Sequence, residues 1–384
     1  MKKKIIFLLF LLISLTSAAH TSDTLSTARD TTRVPPRRHS FIKIASKVID
    51  NLFNVDTAYI EPQHYKLQAM VQNRYSYEVY RVSYGRGNSV RFEPKPSMKI
   101  GPYIGWSLIF LGWSVDVLHM NDGNKRKEFD ISLYSLPIGV DLFWRKSGDD
   151  YTIKNVSIAG VDNTSALENL PFDGLQSSVT GMNLYYIFNH RRFSYPAAFN
   201  QSTQQKISCG SPLVGIGYTQ HTLQIDWKKL NTITRERLGP DVIPPFVNTT
   251  ETENITYTDL ALSGGYGYNW VFAKNWLFAS SLSLAISYKH TISNSTHGSN
   301  IFGESISFRD FKLSNLTLDG VGRFGLVWNN SRWFVGASAI VHSYNYSKKE
   351  FMVNNVFGMI NIYGGFNFLV KKKYRTSSQR RQRR

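Results

Sequence analysis

Charged residues set inside apolar, alternating stretches are where this sequence has chemistry to offer. Asp116 lies between Val115 and Val117, and Asp226 between Ile225 and Trp227. Asp319 and Arg323 share one parity of the stretch 316–328. Successive side chains of a strand face opposite sides, so each of these groups points away from its apolar neighbours. Ionisable groups held inside a membrane protein pair with one another and hold water, or they line a selective constriction. Asp319 and Arg323 are four residues apart, about 13 Å along a strand. Each is therefore expected to meet a partner on a neighbouring strand. Ionic packing is the first expectation for all four, and solute selection the second.

Catalytic and metal chemistry find less support. The nine histidines show no HxH or HxxxH spacing, and the single cysteine, Cys209, excludes disulfides and multi-cysteine metal sites. His342 and Ser343 are adjacent, so in a strand they face opposite sides. A barrel hydrolase would need Ser and His on adjacent strands; His221 and Ser281 are one conceivable pair, and nothing in the sequence requires them to meet. Gly215-Ile216-Gly217 and Gly265-Tyr266-Gly267 precede no helical pattern and read as strand glycines, not nucleotide loops. No catalytic residue, metal or cofactor is expected.

The elements that carry these residues alternate with period two. Leu260, Leu262, Tyr266, Tyr268 and Trp270 alternate with Asp259, Ala261, Ser263, Gly265, Gly267 and Asn269. Trp276, Phe278, Leu282, Leu284, Ile286 and Tyr288 alternate with Ala279, Ser281, Ser283, Ala285, Ser287 and Lys289. Leu316, Leu318, Phe324, Leu326 and Trp328 alternate with Thr317, Asp319, Val321, Arg323 and Gly325. Period two means strand, and aromatics at both ends of an apolar face are the girdles of an outer-membrane barrel. Aromatics make up 14% of the 384 residues and charged residues 19%, below the roughly 25% of soluble domains, which fits a surface largely in lipid. The stretch 351–370 is free of charge for 20 residues, but its four asparagines, three glycines and alternation read as strand, so no spanning helix is expected. A sheet that enters hydrocarbon must close on itself, because open edges leave unpaired backbone groups there.

Tight turns at Ala273-Lys274-Asn275 and Asn329-Asn330-Ser331 alternate with long polar connections at 228–256, 290–313 and 347–353. That pattern predicts twelve antiparallel strands (10–14) near 64–82, 89–108, 109–120, 129–146, 150–159, 178–190, 211–227, 257–271, 275–289, 314–328, 332–346 and 354–369. The turn before Ile109 lacks any turn residue; without it ten strands follow. Asp130 and Asp141 fall on opposite parities of 129–146, and Pro137 between them is expected to mark a bulge or bend that restores phase. Small residues such as Ser283, Ala285, Gly265 and Gly325 would line a lumen without a plug.

The ends read differently. Lys2, Lys3 and Lys4, the apolar run Ile5 to Leu15 and Ser17-Ala18-Ala19 form the three parts of a cleaved signal peptide, residues 1–19. A periplasmic lead, 20–55, follows. In it Phe41, Ile44, Ala45, Val48, Ile49 and Leu52 have the spacing of a short amphipathic helix. The barrel is assigned to 56–370. The tail 371–384 carries Lys371, Lys372, Lys373, Arg375, Arg380, Arg381, Arg383 and Arg384 with no acid, and it is expected against anionic headgroups or in solvent. The formal charge of +18 alone would suggest nucleic acid, but an exported chain with no recognition motif does not fit that partner.

Four ordered strings distinguish the chain further. They are Asp56-Thr57-Ala58-Tyr59-Ile60-Glu61-Pro62, Gly101-Pro102-Tyr103-Ile104-Gly105-Trp106 followed by Ile109-Phe110-Leu111-Gly112, Phe193-Ser194-Tyr195-Pro196-Ala197-Ala198-Phe199, and Ser263-Gly264-Gly265-Tyr266-Gly267-Tyr268-Asn269-Trp270. Over about residues 50–370 the chain resembles an uncharacterised domain-of-unknown-function family of Bacteroidetes-type Gram-negative bacteria, regarded as outer-membrane barrels. The resemblance implies a location and an architecture, and no activity. The expectation is therefore an all-β, closed antiparallel transmembrane β-barrel in the outer membrane, structural or passing small solutes. Its partners would be outer-membrane lipid and, during biogenesis, the barrel-assembly machinery. The alternatives are a lipid-directed barrel hydrolase and a soluble secreted β-sandwich that binds a ligand.

Overall fold

The computed structural model describes residues 54–106, 109–112, 114–118, 126–240, 252–292, 315–348, 351–371 and 374. The signal segment, the helical pattern 41–52 and most of the basic tail lie outside these residues. All described elements fall within the unit Thr57–Arg384.

In chain order the strands are β1 (Ile60–Pro62), β2 (Tyr65–Tyr84), β3 (Asn88–Pro94), β4 (Ser97–Trp106), β5 (Ile109–Gly112), β6 (Val115–Asp116), β7 (Lys127–Tyr134), β8 (Ile138–Lys146), β9 (Tyr151–Ser157), β10 (Leu170–Phe172) and β11 (Leu175–Ile187). The helix α1 (Tyr195–Phe199) and β12 (Thr203–Gln205) follow, then β13 (Cys209–Asp226) and the helix α2 (Trp227–Leu238). The chain continues through β14 (Thr252–Ala273), β15 (Trp276–Ile292), β16 (Leu316–Asn329), β17 (Trp333–Lys348) and β18 (Phe351–Val370). Apart from β1 and β12, which pair with each other, the strands form one curled antiparallel sheet. Its path runs β7-β8-β11-β13-β14-β15-β16-β17-β18-β2. Beyond β2 lie β3 and β4 side by side along its length, and β5 and β6 pair with β4.

Strand lengths follow from uninterrupted alternation. β14 runs 22 residues, β2 and β18 run 20 each, and β13 runs 18. All exceed the roughly 9–11 residues that cross a bilayer core, so they extend past it. Tight reversals sit where the turn chemistry permits them. Gly85 and Gly87 take positive φ between β2 and β3, and Asn275 takes φ 66° between β14 and β15. The chain does reverse before Ile109, since Trp106 pairs with Ile109.

Two strand assignments change. The stretch 129–146 is two strands, because Ser135-Leu136-Pro137 is a reversal that pairs Tyr134 with Gly139. Ser135 closes it by exchanging hydrogen bonds with Ile138. Pro137 therefore changes the parity between Asp130 and Asp141 by turning the chain, not by a bulge. The stretch 150–159 is a strand, β9, but it pairs with β3 and β10 instead of standing between β8 and β11. The connection 228–256, read as polar loop, contains α2 and the first residues of β14.

The burial pattern is inverted relative to a soluble protein. The apolar parity of β14, β15 and β16 faces outward: Leu262 and Leu282 are each 62% exposed, Ile286 60% and Leu318 57%. Trp106, Trp270, Phe272, Trp333 and Phe366 on the same outer face are also exposed. A soluble sandwich would bury these side chains between sheets, so that alternative is not what the chain forms. The opposite parity is buried against the interior.

The long-loop end of the interior is filled by an apolar core. Val82, Val90, Phe92, Ile153, Leu167, Phe172, Leu175, Ile225, Trp227 and Leu230 are all buried there, contributed by β2, β3, β9, the helical turn Ser165–Leu167, β10, β11, β13 and α2. α2 is started by Asp226, whose side chain accepts a hydrogen bond from the Lys229 amide, and it buries Trp227, Leu230 and Thr234. At the other end Glu61 of β1 receives hydrogen bonds from His64 at 2.8 Å and Lys206 at 3.2 Å. Partial burial alone would raise the Glu61 carboxyl, but those bonds outweigh it and hold the group below its ordinary range. Their contribution is present at neutral pH and is lost as pH falls through that lowered value.

The inversion yields a contrast between two truncations. Phe92→Ala, in the buried end core, is expected to cost about 3–5 kcal/mol. Leu262→Ala, on the outward face, is expected to cost well under that in detergent micelles. Unfolding midpoints of the two refolded variants check it, and equal losses would contradict an outward face that packs only against acyl chains.

Candidate functional site

Between the apolar end core and the short-turn rim the interior holds charge. Lys289 of β15 sits between two carboxylates, 3.0 Å from Asp259 Oδ2 and 3.0 Å from Asp319 Oδ2. Asp319 Oδ1 also accepts the Asn345 amide at 2.9 Å. Arg323 Nη2 donates to Asp141 Oδ2 at 2.6 Å, and Asp141 Oδ1 is completed by Ser132 and Tyr134. Arg145 and Arg74 converge on Asp130 at 2.7 and 3.3 Å, and Arg145 lies 3.5 Å over the Phe357 ring. Lys99 and Arg126 converge on Glu128 at 2.8 and 2.6 Å. Glu78 accepts from Tyr80 and Asn355. These twelve groups are six cations and six anions, so the charge balances even though individual networks do not.

Three of the ion pairs join strands that are not neighbours. Asp141 lies on β8, five places along the sheet from the β16 that carries Arg323. Lys99 of β4 reaches Glu128 and Arg74 of β2 reaches Asp130, both on β7 at the far end of the sheet path.

A chamber of about 60 Å³ lies between the first two networks, walled by Thr219, Ser263, Ser283, Ala285, Asp319 and Val321 among others. Tyr185 Oη, Asp259 Oδ1, Ser287 Oγ and Arg323 Nε belong to residues of its lining and have no hydrogen-bond partner among the described residues. That volume accommodates on the order of four waters, too few for a drug-sized ligand.

The short-turn end is closed from inside. Residues 188–208, between β11 and β13, fold into the interior. Tyr195 Oη meets Ser281 Oγ of β15 at 2.6 Å, the Tyr363 hydroxyl of β18 donates to the Ala198 carbonyl, and Asn200 donates to the Tyr134 carbonyl of β7. Asn329 and Asn269 add hydrogen bonds from β16 and β14. Two strand glycines make the fit. A Cβ at Gly267 would stand 3.0 Å from the Phe193 ring, and one at Gly325 would stand 3.4 Å from the Ala198 carbonyl. The lumen expected to lack a plug therefore has one, and Gly325 makes room for it instead of for solute.

The four residues singled out in the sequence do not assemble. Asp319 and Arg323 are both buried inside, in separate networks. Asp319 meets the neighbouring strand as expected, whereas Arg323 reaches across the interior to β8. Asp226 ends β13 and caps α2. Asp116 ends β6 and accepts the Leu118 amide. His221 stacks on Tyr257 at 4.7 Å between ring centroids. Tyr257 pairs with Thr291, ten residues along β15 from Ser281, or about 30 Å, so His221 and Ser281 form no dyad. Among the described residues no three His, Cys, Asp or Glu side chains are grouped to hold a metal.

A family model for a domain of unknown function (DUF4421) matches residues 54–368. The chain belongs to this family. The match spans the whole curled sheet from before β1 to near the end of β18. No curated protein matches the sequence. Among solved structures, the outer membrane protease OmpT from Escherichia coli is 6% identical, with 79% of this chain and 97% of that chain covered at a TM-score of 0.35. The translocator domain of the autotransporter NalP from Neisseria meningitidis is 11% identical, covering 86% and 96% at 0.27. The toluene transporter TodX of P. putida is 7% identical, covering 80% and 91% at 0.20. No activity is transferred to the DUF4421 chain at such values.

In this family member two carboxylates share one lysine, which fixes the sign of its variants. Lys289→Met leaves Asp259 and Asp319 buried without a counter-charge and is expected to cost about 3–5 kcal/mol. Asp259→Asn leaves a balanced Lys289–Asp319 pair and is expected to cost much less. Denaturant midpoints of the refolded proteins, read from the folded band on unboiled gels, compare the two.

Proposed function

We propose that the chain is a sealed outer-membrane β-barrel whose interior is structural, and which carries its role on its rims. The filled interior carries this reading. A plug of residues 188–208, a layer of paired charges and an apolar core follow one another along the axis, and the chamber between them is water-sized. A conducting pore needs a continuous polar path, and the apolar core at the long-loop end interrupts it. The ion pairs from β2 and β4 to β7 support closure of the sheet between β5–β6 and β7. Closure would satisfy the need of a lipid-embedded sheet to leave no open edge.

The outward apolar face with its aromatics and the signal-like amino end both favour the outer membrane. With short turns at the periplasmic rim, β9, β10 and α2 would stand on the outside as a structured platform. An enzymatic reading is disfavoured: among the described residues the Ser/His pair His221 and Ser281 is not assembled, and Asp130, Asp141, Asp259, Asp319 and Glu128 are each engaged by a cation.

The test is fractionation followed by planar-bilayer recording on the purified full chain. The expected result is an outer-membrane fraction and no steady conductance. Replacing residues 193–204 by a short Gly-Ser linker is expected to leave the long-loop end closed, with at most brief openings. Stable single-channel steps from the unaltered chain would overturn the sealed reading, as lipid hydrolysis by it would overturn the non-enzymatic one.

A further inference from the structure

The short-turn end has a composition that the rest of the surface lacks. Outward aromatics are concentrated there: Trp106, Phe188, Trp270, Phe272, Trp276 and Trp333 are all exposed. Neighbouring rings pack along the rim, Trp270 with Phe272 at 5.4 Å and Phe272 with Trp276 at 6.0 Å. Directly beyond them comes a run of cations, Lys66, Arg191, Arg192, Lys206, Lys274, Arg332 and Lys371. In the unit Thr57–Arg384, the one acid that the described residues place at this end is Glu61, and it is already bonded to His64 and Lys206. At the opposite end acids and bases are mixed: Glu93, Asp149, Asp162, Glu168 and Asp173 lie among the lysines and arginines.

The cations also border a built recess. A groove of about 410 Å³ lies between the plug and the β14–β15 turn, walled by Gln204, Lys206, Phe272, Lys274, Asn275 and Trp276. Two lysines stand on its wall beside two aromatics, with amide groups between them. Aromatic rings seat at the level of lipid glycerol, and cations one step farther out meet phosphate. An anionic headgroup accepts hydrogen bonds from ammonium and amide donors while its acyl chains pass over Phe272 and Trp276.

We propose that this rim is a binding surface for anionic phospholipid headgroups, with the groove beside Lys206 and Lys274 as its principal seat. The proposal rests on the barrel reading and adds a lipid class to it. Glycerophosphate with a net negative charge fits, because Lys66, Lys274 and Arg332 stand exposed around the aromatics while Glu61 is already engaged by His64 and Lys206, and a zwitterionic headgroup brings these cations no net counter-charge. The attraction acts within about a Debye length, so it is confined to lipid that touches the rim.

Five tryptophans, Trp106, Trp270, Trp276, Trp328 and Trp333, lie at this end and make the test optical. The full chain is refolded into phosphatidylcholine vesicles in which a fraction of the lipid is brominated phosphatidylglycerol or brominated phosphatidylcholine, and quenching of tryptophan fluorescence is compared. Brominated phosphatidylglycerol is expected to associate at least about threefold more strongly, falling to parity in 0.5 M salt, where screening shortens to a few ångström (~4 Å). The triple variant Lys66→Glu, Lys274→Glu, Arg332→Glu, all at exposed positions, is expected to fold and to lose the preference. The control Lys127→Glu, Lys146→Glu, at the opposite rim, is expected to keep it. Equal quenching by the two lipids in the unaltered chain, or a preference lost in the control and kept in the triple variant, would overturn the proposal. A preference for an anionic cell-wall glycan fragment that displaces phosphatidylglycerol would overturn it in favour of a polymer partner. Absence of quenching by either lipid would instead remove the barrel reading on which it rests.

Discussion

Neutrality of the interior is the constraint from which the rest of the arrangement follows. A sheet with its apolar parity outward must place its polar parity inward, where bulk water does not compensate charge. Among the described residues the six cations and six anions of these networks meet that requirement, but not pair by pair. Lys289 serves two carboxylates, while Asp130 and Glu128 each serve two cations. The imbalance of one network is offset by another, so the networks act at the level of the whole interior. Where the partners lie on strands far apart in the sheet, as for Arg323–Asp141, Arg74–Asp130 and Lys99–Glu128, the same charges that must be neutralised also hold the curl. Arg323 and Asp141 tie β16 to β8, and Lys99 and Glu128 bring the two ends of the sheet path together.

Charge balance leaves the ends of the interior to be filled by other means. At the long-loop end the sheet recruits β9, β10 and α2 and packs them as an ordinary apolar core, with Phe92 stacked on Phe172 at 5.2 Å. At the short-turn end the chain turns inward between β11 and β13 and lays α1 against the polar faces of β14, β15, β16 and β18. A five-residue helix has little stability of its own. It is held by hydrogen bonds to the wall and by the absence of side chains at Gly267 and Gly325. Strand glycines weaken a sheet taken by itself; at these two positions the loss is offset by contact with the plug.

What was legible in the sequence was the sorting of side chains into two faces, since period two is a property of neighbouring residues alone. Asp259 and Lys289 stood on the polar parity together with Asp319, but nothing local indicated that the three converge, because that depends on register between β14, β15 and β16. Arg323 was further out of reach: its partner is set by the curvature of the sheet, and a strand-by-strand reading offers only adjacent strands. The reversal at Ser135-Leu136-Pro137 was missed because it contains no Gly, Asn or Asp and both flanks alternate, so a continuous strand fits as well. α2 was hidden by its composition, with only Trp227, Leu230 and Thr234 buried on an otherwise charged helix. Residues 193–199 were distinctive as a string, but a string does not say that it folds back into the space between strands.

On the sealed-barrel proposal only the surfaces are left with which to act, and the two ends of the curled sheet are built differently. One is a folded apolar core covered by a helix and short strands, with charges of both signs around it. The other is an aromatic belt edged by cations, with its interior stopped by the plug. Interior packing by itself would not require that difference, since neutrality and close packing are satisfied at either end. The polarity of charge between the rims instead matches the two chemically different environments that a membrane offers on its opposite sides. A cation ring beside tryptophan is stabilised by anionic headgroups and destabilised by self-repulsion without them. On the proposed lipid binding, the asymmetry would give the molecule a direction along the bilayer normal that the alternation of its strands does not encode.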